Sequence, residues 1–165
     1  MIEYIFFDIT MPLLSVRRSD IQGYGVFADE NLKKGSIVMM WTINSFLCNE
    51  DEYNCAQEQG NVDVIESGVR LAGQYFLWTK GFRVENYINH DNVPNLLYHC
   101  GICFAMRDIT AGEELTVDYK YILSVQDKCA FKCVKTGQII NGLDGAQSLR
   151  ETSQCLMDIL SAPLT

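Results

Sequence analysis

Between Leu13 and Val117 the chain is cut by glycines and polar turns into runs too short to carry long helices. Those runs are rich in β-branched and aromatic residues, which fit a pleated, half-buried surface. Strands are therefore expected over 13–17, 24–28, 36–41, 75–78, 96–99, 102–107 and 115–117. Lys33-Lys34-Gly35-Ser36 and Thr110-Ala111-Gly112-Glu113 read as the turns between sheets. The polar stretch 49–59 lacks β-branched residues and is expected to form a short helix. A longer helix is expected over about 148–161, where Ser148 and Glu151 make a capping-box pattern. Leu149, Leu156, Ile159 and Leu160 fall on one side of it as an apolar face to bury.

With 165 residues, 48% of them hydrophobic, the chain can fill one core, and no repeat or Pro/Ser-rich linker suggests a second domain. No apolar run approaches a membrane span, and Met1-Ile2-Glu3-Tyr4 lacks the basic start of a secretory signal. A soluble intracellular protein is expected, cytoplasmic or, in a eukaryote, also nuclear. The cysteines, Cys48, Cys55, Cys100, Cys103, Cys129, Cys133 and Cys155, are odd in number and scattered, which suits buried thiols in a reducing compartment better than disulfides. A net charge of −8 without any Lys/Arg run argues against direct nucleic-acid binding and makes a cationic partner more natural.

Three short motifs carry chemistry. Gly23-Tyr24-Gly25 would let backbone approach a ligand with no Cβ in the way, although alone it reads as an ordinary turn. Asn89-His90-Asp91-Asn92-Val93-Pro94-Asn95 would by itself be a self-satisfied turn. Glu114-Leu115-Thr116-Val117-Asp118-Tyr119 is an acidic-started strand ending in a tyrosine. Cys100-Gly101-Ile102-Cys103 has the spacing of a metal hook, but in an expected strand its side chains would diverge, so buried thiols are the better reading.

Together, in this order and spacing, the three motifs resemble the SET domain, the fold of most protein lysine methyltransferases, over about residues 13–123. The resemblance implies a mostly β chain with minor α (α+β), a β-clip of several small twisted sheets with a pseudoknot, plus the C-terminal helix. It implies an N-terminal extension over 1–12, a variable insert over about 47–74 and a post-SET-like segment over 124–165. The implied activity is S-adenosylmethionine (SAM)-dependent transfer of a methyl group to a lysine ε-amine of a histone or other basic protein. An inactive SET module that binds peptides is the alternative, and the retained motif residues weigh against it.

By the same resemblance, Gly23, Tyr24 and Gly25 receive the methionine part of SAM. Asn89 contacts its amino-acid end and the His90 backbone its adenine edge. Tyr119 is the catalytic residue, orienting the amine and lining the methyl path. Tyr98, Val117, Tyr121 and Tyr75 are expected in the substrate lysine channel, and Val117 paired with Tyr98 is similar to enzymes that mostly add one methyl. Phe131 is expected to stack on the adenine. Asp91 stands where Ser is commoner and needs a partner or solvent. Phe131-Lys132-Cys133-Val134-Lys135 resembles the start of a zinc-binding post-SET segment. Lys135 and Ile140 occupy two of its ligand positions, so no zinc is expected. Three places remain open for the C-terminal helix: over the site, on the back of the domain, or in a homodimer contact.

Overall fold

The computed structural model describes residues 11–41, 45–127 and 131–161. Cys129 and most of the expected N-terminal extension lie outside the described residues. In chain order the strands are β1 (Leu14–Arg18), β2 (Tyr24–Ala28), β3 (Ile37–Met40), β4 (Phe46–Asn49), β5 (Val69–Ala72), β6 (Tyr75–Trp78), β7 (Asn89–His90), β8 (Leu96–His99), β9 (Ile102–Ala105) and β10 (Glu114–Val117). The helices are α1 (Glu50–Glu58), α2 (Val62–Ser67) and α3 (Gly145–Ser161).

The strands make three small sheets, ordered β1-β2-β10-β7, β3-β9-β8 and β4-β6-β5. In the first, Leu115 of β10 lies opposite Val26 of the antiparallel β2. On its other edge β10 runs parallel to β7, with Thr116 opposite Asn89 and Val117 opposite His90. This pairing brings together two motifs that are far apart in sequence. Asn95 ties them again: its Oδ1 accepts from Thr116 N–H (2.9 Å) and its Nδ2 donates to Glu114 O (2.8 Å).

The alternation read from sequence places Val26, Ala28, Val38, Leu96, Cys103, Ala105, Leu115 and Val117 in the core with no exposed surface. β8 and β9 are joined by Cys100 and Gly101, both with positive φ (50° and 80°), the backbone of a two-residue hairpin turn. Cys100 is thus in a turn and not in a strand; Cys103 is fully buried.

The insert is richer in structure than its sequence suggests. Strands β4 and β5 and helix α2 were not anticipated; only β6 and the helix over 49–59, now α1, were. α1 is held at its start by a reciprocal cap: Asn49 Oδ1 accepts from Glu52 N–H, and Glu52 Oε2 accepts from Asn49 N–H, both at 2.9 Å. Tyr53 stacks on Phe76 at 4.1 Å inside the insert's own small apolar cluster with Val64. Arg70 of β5 is buried, and joins the insert to the core by donating to Glu50 Oε1 (2.7 Å), Gly73 O and Leu123 O (3.4 Å). Burial pushes the Glu50 carboxyl up, but bonds from Arg70 and Ser124 outweigh it and hold it below the usual range.

Helix α3 starts three residues earlier than the sequence indicated. Asp144 Oδ1 accepts from the Ala146 and Gln147 N–H groups (3.0 and 3.2 Å), so Asp144 caps the helix and the Ser148/Glu151 capping box does not form. Ser148 instead lies buried inside the helix, within 3.3 Å of Tyr121 O, and Glu151 accepts from the Tyr121 hydroxyl (3.2 Å). The buried face is Gly145, Ser148, Thr152 and Ile159, while Leu149 and Leu160 are 39% and 56% exposed. Small and hydroxyl-bearing residues win this face because the helix starts tight on the β5–β6 turn: a Cβ at Gly145 would meet Gly73 O at 2.1 Å. Polar partners then await it. His99 Nδ1 bonds Thr152 Oγ1 (2.8 Å), which itself donates to Ser148 O (2.8 Å).

Candidate functional site

The parallel β7–β10 pair ends at His90 on one strand and two residues before Tyr119 on the other. Past β10, Asp118 Oδ1 accepts from Lys120 N–H (3.1 Å) and turns the chain into a short 3-10 segment beginning at Tyr119. The Tyr119 N–H donates to His90 Nδ1 (3.2 Å), so the His90 hydrogen sits on Nε2 and is accepted by Asn92 Oδ1 (2.9 Å). The Tyr119 hydroxyl donates to Ile88 O at 2.7 Å. Burial pushes this phenol up to about 12, so at neutral pH it is a proton-bearing donor and no base. Its ring lies 5.3 Å from that of His90 and stands perpendicular to Phe131 at 5.5 Å.

Two cavities meet at these rings. One, about 620 Å³, is lined by Ile21, Gln22, Asn89, His90, Tyr119, Phe131, Lys132, Cys133, Val134 and Gly137. The other, about 410 Å³ and largely apolar, has Trp41, Val69, Phe82 and Ile88 in its wall together with Glu66 and Glu85. Tyr119 and Phe131 belong to both walls. The Trp41 indole N–H is buried without a hydrogen-bond partner among the described residues.

None of Gly23, Tyr24 and Gly25 lines the polar cavity; the motif bears on it through Asn89, beside which Gly25 lies. A Cβ at Gly25 would meet Glu114 Oε1 at 2.1 Å and Asn89 Nδ2 at 3.1 Å. The space that Gly25 leaves is where the Asn89 amide packs among Ser19 Oγ (3.1 Å), Gln22 O (3.3 Å), Tyr24 O (3.0 Å) and Glu114 Oε1 (2.8 Å). Four acceptors around two N–H groups leave acceptor capacity for a cationic ligand. Gly23 adopts a left-handed φ of +54°, turning the loop. Tyr24 itself is 48% exposed, stacks on Arg18 at 4.6 Å, and lines neither cavity.

The expected channel residues are placed differently. Tyr98 is buried, its hydroxyl donates to Arg70 O, and it reaches the apolar cavity only through an edge contact with Trp41 at 5.4 Å. Val117 is fully buried in the core. Tyr121 points its hydroxyl at Glu151 of α3, and Tyr75 is 45% exposed on β6. None of the four lines either cavity. The apolar cavity is walled instead by Trp41, Val69, Phe82 and Ile88, which sequence reasoning missed: each reads as an ordinary strand or turn hydrophobe, and only tertiary packing turns them to a common wall. Helix α3 contributes nothing to either cavity and packs against β8 and β5.

Asp91 finds the partner it needed. Burial pushes its carboxyl up, but the Lys135 ammonium and the Val93 N–H (3.0 Å) outweigh this and hold it below the usual range. Lys135 and Ile140 offer no ligand to a metal, and the residues present do not fit a post-SET zinc site. Among the described residues, no three His, Cys, Asp or Glu side chains converge. No helix among them is long and apolar enough to cross a membrane.

A mostly β fold of small sheets, with a parallel strand pair feeding a shared tyrosine between two cavities, defines a class, and comparison with known proteins says which. A family model described as SET domain matches residues 23–120, more than half of the 165-residue chain. The chain belongs to the SET domain family. It is 29% identical, over an alignment of 133 positions that covers 66% of this chain, to the "Variant-silencing SET domain-containing protein" of Plasmodium falciparum (isolate 3D7). It is 30% identical, over an alignment of 128 positions that covers 70% of this chain, to the "Putative histone-lysine N-methyltransferase 1" of the same organism. The chain spans only 5% and 2% of the lengths of these relatives. Among solved structures, a chain in the crystal structure of an active polycomb repressive complex 2 in the stimulated state matches with a TM-score of 0.50 and 25% identity. That match covers 67% of this chain and 15% of the other.

Proposed function

We propose that the protein is a SAM-dependent protein lysine N-methyltransferase acting on a basic protein. The observation that carries the reading is the shared wall: Tyr119 and Phe131 separate a polar cavity bearing Asn89 and His90 from an apolar one. A donor and an acceptor can then reach one point from opposite sides, and alignment of the two is most of what this chemistry asks. The residues present fit the methyl donor. The acceptor-rich cluster around Asn89 suits the ammonium of its amino-acid end, and the Phe131 ring offers a face to its adenine. When bound, the donor supplies an electrophilic sulfonium methyl, with the thioether as leaving group.

The chain's part is to hold and desolvate the lysine. The apolar wall of Trp41, Val69, Phe82 and Ile88 would shelter its stem and favour the neutral amine, whose lone pair must attack. The Tyr119 hydroxyl and Ile88 O lie at the junction, where they can orient that amine. Glu66 and Glu85 at the same cavity, and the net charge of −8, favour a basic substrate segment. The test is direct: calorimetry with SAM should give saturable binding at one site, and labelled SAM with a lysine-bearing basic peptide library should yield methyl-lysine. Absence of SAM binding by the full chain would sink the reading.

A further inference from the structure

Residues 131–140 form a small hairpin. Ile140 N–H donates to Phe131 O (2.8 Å), Cys133 N–H to Gln138 O (2.9 Å), and Gly137 N–H to Cys133 O (2.7 Å). These bonds fix the hairpin's shape but not its seat on the protein. The seat matters, because Phe131, Lys132, Cys133, Val134 and Gly137 form one whole side of the polar cavity. At the base, Phe131 and Ile140 pack against the main core. At the tip, the polar contacts run to the turn that follows His90. Lys135 Nζ pairs with Asp91 Oδ2, and Asn92 Nδ2 donates to Cys133 Sγ (3.5 Å).

The Asp91 side chain is 11% exposed and Lys135 is 59% exposed. A nearly buried anion therefore tethers a cation that would otherwise swing free. Asp91 is also fixed from its own side, since Oδ1 accepts the Val93 N–H. We propose that Asp91 and Lys135 are positioning residues whose ion pair clasps the 131–140 hairpin onto the Asn89–Asn95 turn and so sets the width of the polar cavity. A charge contact does here what a bound metal would do if Lys135 and Ile140 were ligands. Being open to solvent at the lysine end, the clasp is screened by salt. Its effect on methyl-donor affinity rests on the function proposed above; the clasp itself does not.

Hydrogen exchange of the ligand-free full chain tests the clasp, and calorimetry with SAM tests its consequence. In Lys135→Met and Asp91→Asn, amides of 131–140 should exchange at least about threefold faster than in the parent, while β8 and α3 are unchanged. Lys135→Arg, which keeps the charge, should retain protection. About 0.5 M NaCl should erode the difference between parent and Lys135→Met. The SAM dissociation constant should rise in Lys135→Met and not in Lys135→Arg. Unchanged exchange in Lys135→Met overturns the clasp whatever SAM does. Faster exchange with an unchanged SAM constant overturns the positioning role. Faster exchange in a protein that never binds SAM upholds the clasp and removes the methyl-donor reading instead. Should Asp91→Asn fail to fold, Lys135→Met at its exposed position still decides.

Discussion

Tyr119 is the residue on which the site turns. Its backbone N–H, its hydroxyl and its ring each have a separate partner: His90, Ile88 O and Phe131. Replacing it with Phe removes one hydrogen bond and leaves the ring packing intact. Under the proposed function, Tyr119→Phe should bind SAM as before and lose at least about tenfold in methyl transfer, since one aligned bond is worth about 1.4 kcal/mol or more there. Single-turnover rates with saturating SAM measure this, and equal rates would take Tyr119 out of the chemistry. This residue was legible from sequence because it closes a motif whose order and spacing are distinctive. Tyr98 and Tyr121 were harder to place: a tyrosine near a site can fill a core, meet a helix or line a channel, and the strand sequence looks the same in all three cases.

Among the elements, β5 and α3 do the most to hold the site from behind. Arg70 is 1% exposed and joins Glu50, Gly73 and Leu123, so removing its charge leaves the Glu50 carboxylate with the Ser124 hydroxyl but no cation and takes a donor from two carbonyls. Arg70→Met keeps most of the volume and should still destabilise by about 3 kcal/mol in urea titration, the scale on which breaking a buried pair is felt. A loss below about 0.5 kcal/mol would mean that solvent replaces the guanidinium cheaply. Helix α3 packs against β8 and β5 and buries Thr152, which meets His99 of β8, and Ile159. Deleting 145–165 removes the buried Ile159 side chain and strips His99 of its Thr152 partner, for about 3 kcal/mol from one buried side chain and its hydrogen bonds. The truncated protein should therefore show a lowered Tm with or without SAM. An unchanged Tm with impaired transfer would favour a helix acting at the site after all. The existence of α3 was evident from its periodicity, but its face was not, because hydroxyls meeting His99 and a glycine meeting Gly73 O outweighed the leucine stripe.

For the whole molecule, titration should give a stability dome. Burial holds the His99 imidazole below its usual value, so its neutral form belongs to the fold. That contribution is present above about pH 6.5 and is lost as the pH falls through the lowered folded value. Glu50 and Asp91, also lowered, add a second loss below about pH 4. On the alkaline side Tyr119, raised to about 12, and Tyr98, raised well above the usual value, favour the neutral phenol. Their contribution is complete below about pH 10 and disappears as the pH rises through the folded values. Tm measured from pH 4 to 11 should be flat near neutrality and fall on both sides. His99→Gln should remove the acid-side loss that begins below about pH 6.5; its persistence would assign it to another group.

By itself the sequence determined that this chain builds short strands around one core, that Tyr24–Ala28, Tyr75–Trp78 and Leu96–His99 are three of them, and that the motifs at Gly23, Asn89 and Tyr119 belong together. Alternation, glycine punctuation and motif spacing are local quantities, written along the chain. Tertiary structure decided the rest: that Asn89 and Thr116 lie side by side on parallel strands, that Trp41 and Phe82 share a cavity wall, and that Asp91 meets Lys135. Those contacts join residues brought together only by packing. Their energy depends on burial and on partners that the local sequence does not contain.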